Sequence, residues 1–304
     1  MCKVTLSVYE FMDRFPTSSS ARKYLEQVRW NGHPTCIHCS SERIHIRKRT
    51  GYFKCLSCKK DFTVCSNTIF ERSHIPLQKW FYAMYLVATS RKGISSLQLS
   101  KEIGVTQKSS WFLLQRLRES CKNDGIGLLR GIVEADETYI GGKEHNKHEH
   151  NKLKSGRGMV GKTAVVGMRE RGGKVKAQVV SKTDSFSIQT VIRSNVDQEA
   201  ILCTDEHGAY KGLTEYDHQV VVHSVKKFVD GMAHTNGIES VWAILKRGFY
   251  GIYHSFSEKH LQRYVDEFSY RLNEGNCNVP SIERLDALMR KTFDIRLTYK
   301  ELIA

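Results

Sequence analysis

The sequence has no apolar run approaching the roughly 18 residues that a membrane-spanning helix needs, which argues against such a span. The opening residues, Met1 to Leu6, lack the apolar stretch of a secretory signal, so a cytosolic protein is expected. Acidic charge is in deficit, with 32 Asp and Glu against 47 Lys and Arg, a formal charge of +15. A chain so charged attracts polyanions and releases their counterions on binding, which favours nucleic acid as a partner. Nine cysteines are an odd number in a chain without an export signal, so a disulfide framework is not expected. What is present, 40% apolar residues in 304, supplies real cores and suits two compact units or one domain with appendages.

The cysteine spacing is informative. Cys36 and Cys39 form one C-x-x-C pair, Cys55 and Cys58 another, with fifteen residues between the pairs. Each pair turns the chain so that both thiolates face one ion, and two such knuckles complete a tetrahedral shell. Residues 43–54 alternate polar and apolar around Thr50 and Gly51, predicting a hairpin that links the knuckles. A four-thiolate shell leaves no position for substrate, so zinc here is expected to be structural. His38 lies inside the first knuckle, but four thiolates need no further ligand. The basic hairpin is either a phosphate-contacting surface or simply solvated charge. Cys65, Cys121, Cys203 and Cys277 lack ligand spacing and are expected in cores.

From Pro76 to about Lys122 the pattern is helical. An apolar-rich helix follows Pro76, a second covers residues 95–103, and a third starts after Gly104 and Val105. Thr106 is its N-cap, and Trp111, Leu114 and Leu117 form its apolar stripe. Helix, short glycine-containing turn and helix outline a helix-turn-helix, although an ordinary helical hairpin reads the same way. Gln107, Lys108, Ser109 and Gln115 are the residues expected on the exposed side.

The strongest chemistry follows residue 130. Residues 131–140 read as a strand in which alternation puts Glu134, Asp136 and Thr138 on one face, with Val133, Ala135 and Glu137 on the other. A carboxylate in mid-strand is costly without a partner or a metal. Strands over 163–169 and 174–180, a helix around 187–193, a buried strand over 200–205 ending on Asp205, and a strand over 219–222 follow. Residues 234–247 form a helix with Ile238, Val241, Leu245 and Phe249 on one stripe and Asn236, Glu239, Ala243 and Lys246 on the next. Two strand carboxylates and one helix carboxylate can hold two hard cations through oxygen. Paired Mg2+ or Mn2+ serves phosphodiester chemistry by activating the attacking oxygen and stabilising the leaving one. Three unrelated surface acids would give the same pattern. Residues 143–162, basic and carrying His145, His148 and His150, read as a mobile loop between the first two strands and a possible DNA contact; a histidine metal site there is the weaker reading.

Together these segments carry a likeness. Cys36 to Cys39, Cys55 to Cys58, the stretch from Phe62 through Thr68 and Phe70 to Trp80, residues 133–142, Thr204 with Asp205, residues 234–247, residues 251–254 and residues 259–273 occur in an order that resembles bacterial transposases of the insertion-sequence 1595 family. The resemblance covers nearly the whole chain. It implies an α/β fold: an RNase H-like mixed sheet flanked by helices, preceded by a four-cysteine zinc ribbon and a helix-turn-helix-like segment. It implies Asp136, Asp205 and Glu239 as the catalytic triad holding Mg2+ or Mn2+, and Lys246 as a substrate-binding residue. Some such families carry another third member, such as asparagine, so Asn236 stands as an alternative beside Glu239 and as a substrate contact. Glu134 is the better placed of the two flanking glutamates to support Asp136.

The expected division is an N-terminal helical segment at 1–30, a zinc ribbon at 31–75, a DNA-binding helical segment at 76–125 and the catalytic domain at 130–304. The function implied is metal-dependent phosphodiester hydrolysis and strand transfer at the ends of an insertion sequence. The expected partners are double-stranded DNA, both transposon ends and target, and further copies of the chain on that DNA. A metal-dependent endonuclease of another role, or a DNA-binding regulator with an inactive catalytic domain, are the competing readings.

Overall fold

A computed structural model describes residues 5–122, 125–142, 148–153, 159–221 and 234–304. The chain begins with α1 (Val8–Arg14), α2 (Ser18–Trp30), β1 (Ile44–Ile46), β2 (Phe53–Cys55) and β3 (Asp61–Phe62). Three helices follow, α3 (Leu77–Thr89), α4 (Ser96–Ile103) and α5 (Gln107–Glu119). Next come β4 (Ile132–Ile140), β5 (Thr163–Glu170), β6 (Val175–Val180), α6 (Ser185–Asn195), β7 (Ile201–Asp205) and β8 (Asp217–Val221). The last helices are α7 (Asn236–Gly248), α8 (Leu261–Glu274), α9 (Ser281–Arg290) and α10 (Tyr299–Ile303). Val222, expected to end the strand β8, lies outside the described residues. Among the described residues no helix is long and apolar enough to cross a membrane.

The chain divides into two units, Met1–Cys121 with Glu274–Ala304, and Lys122–Asn273. The unit that carries β4 to β8 thus closes at Asn273, and the C-terminal helices return to the first unit. There α9 packs on α2 and α3: Tyr24 donates to Asp286 at 2.8 Å and Arg284 to the carbonyl of Ala88 at 2.9 Å. An amphipathic helix reads the same whichever core receives its apolar face, so a boundary at 130 alone does not foresee this return.

In the first unit, β1, β2 and β3 form an antiparallel sheet, with Ile44 opposite Cys55 and Phe53 opposite Phe62. Gly51 takes φ +84° in the hairpin turn, a conformation that favours glycine. The helix-turn-helix outline is present: α4 ends on Gly104 at φ 60°, and the Thr106 side chain accepts the Ser109 N–H at 3.2 Å to start α5. Gln107 and Lys108 are exposed and Ser109 half-buried, but Gln115 is fully buried, contrary to expectation. The later turns of α5 are enclosed from residue 113 to 118, and they take polar groups inward. Arg116, for example, donates to the carbonyl of Glu71 at 2.7 Å and lies over the Trp80 ring. A second correction concerns the cysteines outside the knuckles. Cys121 and Cys203 are buried and Cys65 half-buried, but Cys277 is exposed, in the turn between α8 and α9 where no core forms.

The second unit is built on a five-stranded sheet of order β6-β5-β4-β7-β8. β4 pairs antiparallel with β5 and β5 with β6, whereas β4, β7 and β8 run parallel. This is the mixed sheet flanked by helices that the resemblance implies. Val133 and Ala135 of β4 join Ile188, Val191 and Ile192 of α6 in one core. Ile140 of β4 joins Ile238, Val241 and Leu245 of α7, with Val265 and Phe268 of α8, in the other. The alternation read in β4 therefore maps onto two real layers. At the outer strand, Gln262 of α8 accepts from the N–H of Val179 at 2.7 Å and donates to the carbonyl of Ala177 at 3.2 Å. Asn273 accepts from Val175 N–H at 2.7 Å and donates to its carbonyl at 2.8 Å.

Candidate functional site

The four ribbon cysteines converge. Cys36 and Cys58 sulfurs lie 3.6 Å apart, as do those of Cys39 and Cys55, and all four fall within 4.8 Å of one another. A tetrahedron with metal–sulfur bonds of about 2.3 Å has edges of about 3.8 Å, so the donor set fits a structural zinc. The knuckles turn backbone N–H groups onto sulfur, His38 to Cys36 and Cys58 to Cys55, each at 3.4 Å, which favours thiolates. Cys36, Cys55 and Cys58 pack with Phe53, Phe62, Trp30 and Ile44, and Cys39 is exposed. The His38 side chain is exposed and stands outside the ligand group. Among the described residues this is the only group of three or more His, Cys, Asp or Glu gathered tightly enough to hold a metal as it stands.

The carboxylates are arranged differently. β4 and β7 pair in parallel through Glu134 and Cys203, and two residues further on each strand stand Asp136 and Asp205. Asp136 Oδ1 accepts from Glu137 N–H at 2.8 Å, and Oδ2 accepts from the indole Nε1 of Trp242 at 2.9 Å. Burial, with the charges of Glu137 and Asp205 nearby, pushes the Asp136 pKa up to about 7 despite those two bonds. Opposite Asp136 on β5 is Gly167. A side chain there would collide with the Trp242 ring, so the glycine is what lets the indole lie over the sheet. Asp205 Oδ1 accepts the N–H of His207 at 3.0 Å. The turn after β7 also brings Tyr210, buried, whose hydroxyl donates to Glu137 Oε2 at 2.6 Å.

α7 carries the remaining candidates. Asn236 is its first residue, and Asn236, Glu239 and Lys246 are all exposed, while Ile238, Val241, Trp242 and Leu245 are buried. The Thr235 hydroxyl donates to Glu239 Oε1 at 3.4 Å. Glu239 is not among the charges that raise Asp136; those are Glu137 and Asp205. The mutual repulsion at Asp136 is what a divalent cation bound by oxygen donors relieves, and in that respect Asp136 and Asp205 fit Mg2+ or Mn2+. Trp242, Gly167 and Tyr210 were not read from the sequence as part of this neighbourhood. A glycine within an apolar strand was the one available signal.

The basic surfaces also have definite settings. On the ribbon hairpin, Arg47 forms a forked pair with Asp61, at 2.7 and 2.8 Å, and Arg49 lies 4.3 Å over Tyr52. Arg43 and Lys48 are exposed beside them. On α5, Gln107 donates to Ser96 at 2.8 Å and Lys108 lies over the Tyr299 ring at 5.1 Å. Of the basic stretch 143–162, positions 143–147, with His145, and 154–158 lie outside the described residues. His148 precedes a short 3-10 turn, Glu149–Asn151, and His150 lies within it, their rings stacked at 5.8 Å.

Residues 128–273 match the model of the ISXO2-like transposase domain of the insertion-sequence 1595 group, and residues 16–61 match that group's transposase zinc-ribbon domain. An uncharacterised protein in the transposable element ISH50 of Halobacterium salinarum is 28% identical over 272 residues, covering 84% of this chain and 91% of the relative.

Proposed function

The chain belongs to the insertion-sequence 1595 family of transposases, and from that premise we propose that Asp136, Asp205 and Glu239 bind two Mg2+ or Mn2+ ions for cutting and joining DNA. The observation that carries the reading is the adjacency of Asp136 and Asp205 on neighbouring parallel strands, with Asp136 held at a pKa of about 7 by burial and by like charge. When bound, the ions activate an attacking oxygen and stabilise a leaving oxygen at a scissile phosphodiester.

The protein's own groups do the rest. Trp242 orients the Asp136 carboxylate and favours its ionised form. The His207 N–H does the same for Asp205. Glu239 supplies the third carboxylate from the exposed face of α7, beside Asn236, which contacts substrate. Lys246, two turns on, meets a substrate phosphate as a point charge. The reaction is hydrolysis at the ends of the element, followed by attack of the freed 3′-hydroxyl on target DNA. Double-stranded DNA is held through phosphate by the ribbon hairpin at Arg43 and Lys48 and by the first turn of α5 at Gln107 and Lys108. Two ends are brought together by more than one copy of the chain, on DNA in the cytosol. Zinc in the cysteine quartet keeps the ribbon folded.

The test is cleavage and strand transfer on DNA carrying the element's terminal repeats, with Mg2+ or Mn2+. Asp136→Asn, Asp205→Asn and Glu239→Gln each abolish both steps while end binding persists. Full strand transfer by Asp205→Asn removes that aspartate from the mechanism, and activity in Glu239→Gln with loss in Asn236→Ala moves the third role to Asn236.

A further inference from the structure

One carboxylate of the second unit is buried against the start of α7. Glu134 is 1% exposed. Its Oε1 accepts from Arg171 Nε at 2.8 Å and lies 3.2 Å from His234 Nδ1; its Oε2 accepts from the backbone N–H of Ile238 at 2.9 Å. A buried anion at a helix N-terminus meets both an unsatisfied N–H group and the positive end of the helix dipole. The approach is close. A Cβ on Gly237 would stand 2.5 Å from Glu134 Oε2, so a side chain at that position would displace the carboxylate from the helix N–H. Arg171 completes the clasp by donating from Nη2 to the carbonyl of His234 at 2.9 Å.

The two anchored positions, His234 and Ile238, bracket Thr235 and precede Glu239. Thr235 is 2% exposed, its carbonyl accepts the Glu239 N–H at 3.1 Å, and its hydroxyl donates to Glu239 Oε1 at 3.4 Å. The capping role that a threonine side chain ordinarily plays at this position is not used: it makes no cap bond to the helix backbone. The buried carboxylate of Glu134 binds the helix N–H instead, leaving the hydroxyl to orient Glu239. We propose that Glu134 and Arg171 are positioning residues that fix the first turn of α7 and thereby set Glu239 for metal binding. The inference rests on the reading of Glu239 as a metal ligand.

The full-length, zinc-loaded protein tests it through Mn2+ binding measured by calorimetry without DNA, alongside the Mn2+ dependence of end cleavage. Glu134→Gln keeps the shape but cannot accept from Arg171 and Ile238 with a full charge. Its Mn2+ affinity falls about tenfold, the scale typical of groups that orient metal ligands, and the half-saturating Mn2+ rises more than the saturated rate falls. Arg171→Lys, which keeps the charge beside Glu134 but loses the fork to His234, moves both readouts in the same direction and serves if the glutamine variant fails to fold. Wild-type Mn2+ affinity in Glu239→Gln overturns the underlying reading and this inference with it. Weakened binding in Glu239→Gln, with wild-type affinity in folded Glu134→Gln or Arg171→Lys, overturns the positioning role alone.

Discussion

Trp242 donates its indole N–H to Asp136 across 2.9 Å, joining the second core layer to the middle strand of the sheet. The bond lowers the Asp136 pKa while burial and the neighbouring carboxylates raise it, and burial with repulsion prevails at about 7. The group is thereby poised near neutrality, where a small change in its surroundings alters its charge.

Replacing Trp242 by Phe removes the donor and keeps most of the packing. The Asp136 pKa then rises further, because the ionised form loses a hydrogen bond. A metal ligand must be ionised, so the acidic limb of the cleavage profile moves to higher pH. Rates measured from pH 6 to 9 fall most at the acidic end; a uniform loss across that range would show that the indole acts only through packing.

Gly167→Ala forces a methyl into the Trp242 ring. Overpacking of this kind costs about 1–3 kcal/mol. Urea unfolding is the measurement, and pairing the change with Trp242→Ala relieves most of the cost. Equal losses in the presence and absence of the indole would rule out the collision as their cause.

The Asp136 shift also has a stability consequence in protein loaded with zinc but without Mg2+ or Mn2+. Its folded pKa, about 7, lies above the ordinary 3.8, so the folded state binds the proton more tightly. Stability contributed by the protonated acid is therefore fully present below about pH 4 and is lost as pH rises towards 7. Asp136→Asn does not titrate. The melting temperature of the variant gains on that of the wild type between pH 4 and 7 and holds a constant offset on either side. A pH-independent offset throughout would contradict the shift.

In the ribbon, Cys36→Ser removes one of four thiolates from a closed shell. Zinc per chain falls below one equivalent by atomic absorption, and binding to terminal-repeat DNA weakens, while the second unit keeps its fold. Unchanged zinc content would sink the assignment.

The sequence made the strand carboxylates legible because β4 alternates cleanly: Val133 and Ala135 face α6, and Glu134 and Asp136 face α7. The knuckles were legible because two-residue spacing is a local geometric constraint. What joins across the sheet was not. Gly167 could be seen as a glycine in a strand, but its reason, the Trp242 ring, lies 75 residues away in the chain. Gln115 was misread because polarity in a stripe signals exposure only when no core closes over it, and α5 is enclosed there. Glu134 was marked as a support for Asp136, whereas its hydrogen bonds run to Arg171 and the start of α7.

The amides of Gln262 and Asn273 have a consequence for life at high concentration. Between them they engage the outward N–H and C=O of Val175, the C=O of Ala177 and the N–H of Val179. A sheet margin with free backbone groups is a template on which a foreign strand can grow. Here that template is already spent by a helix of the same unit, so this margin resists edge-to-edge aggregation and strand exchange even in concentrated protein.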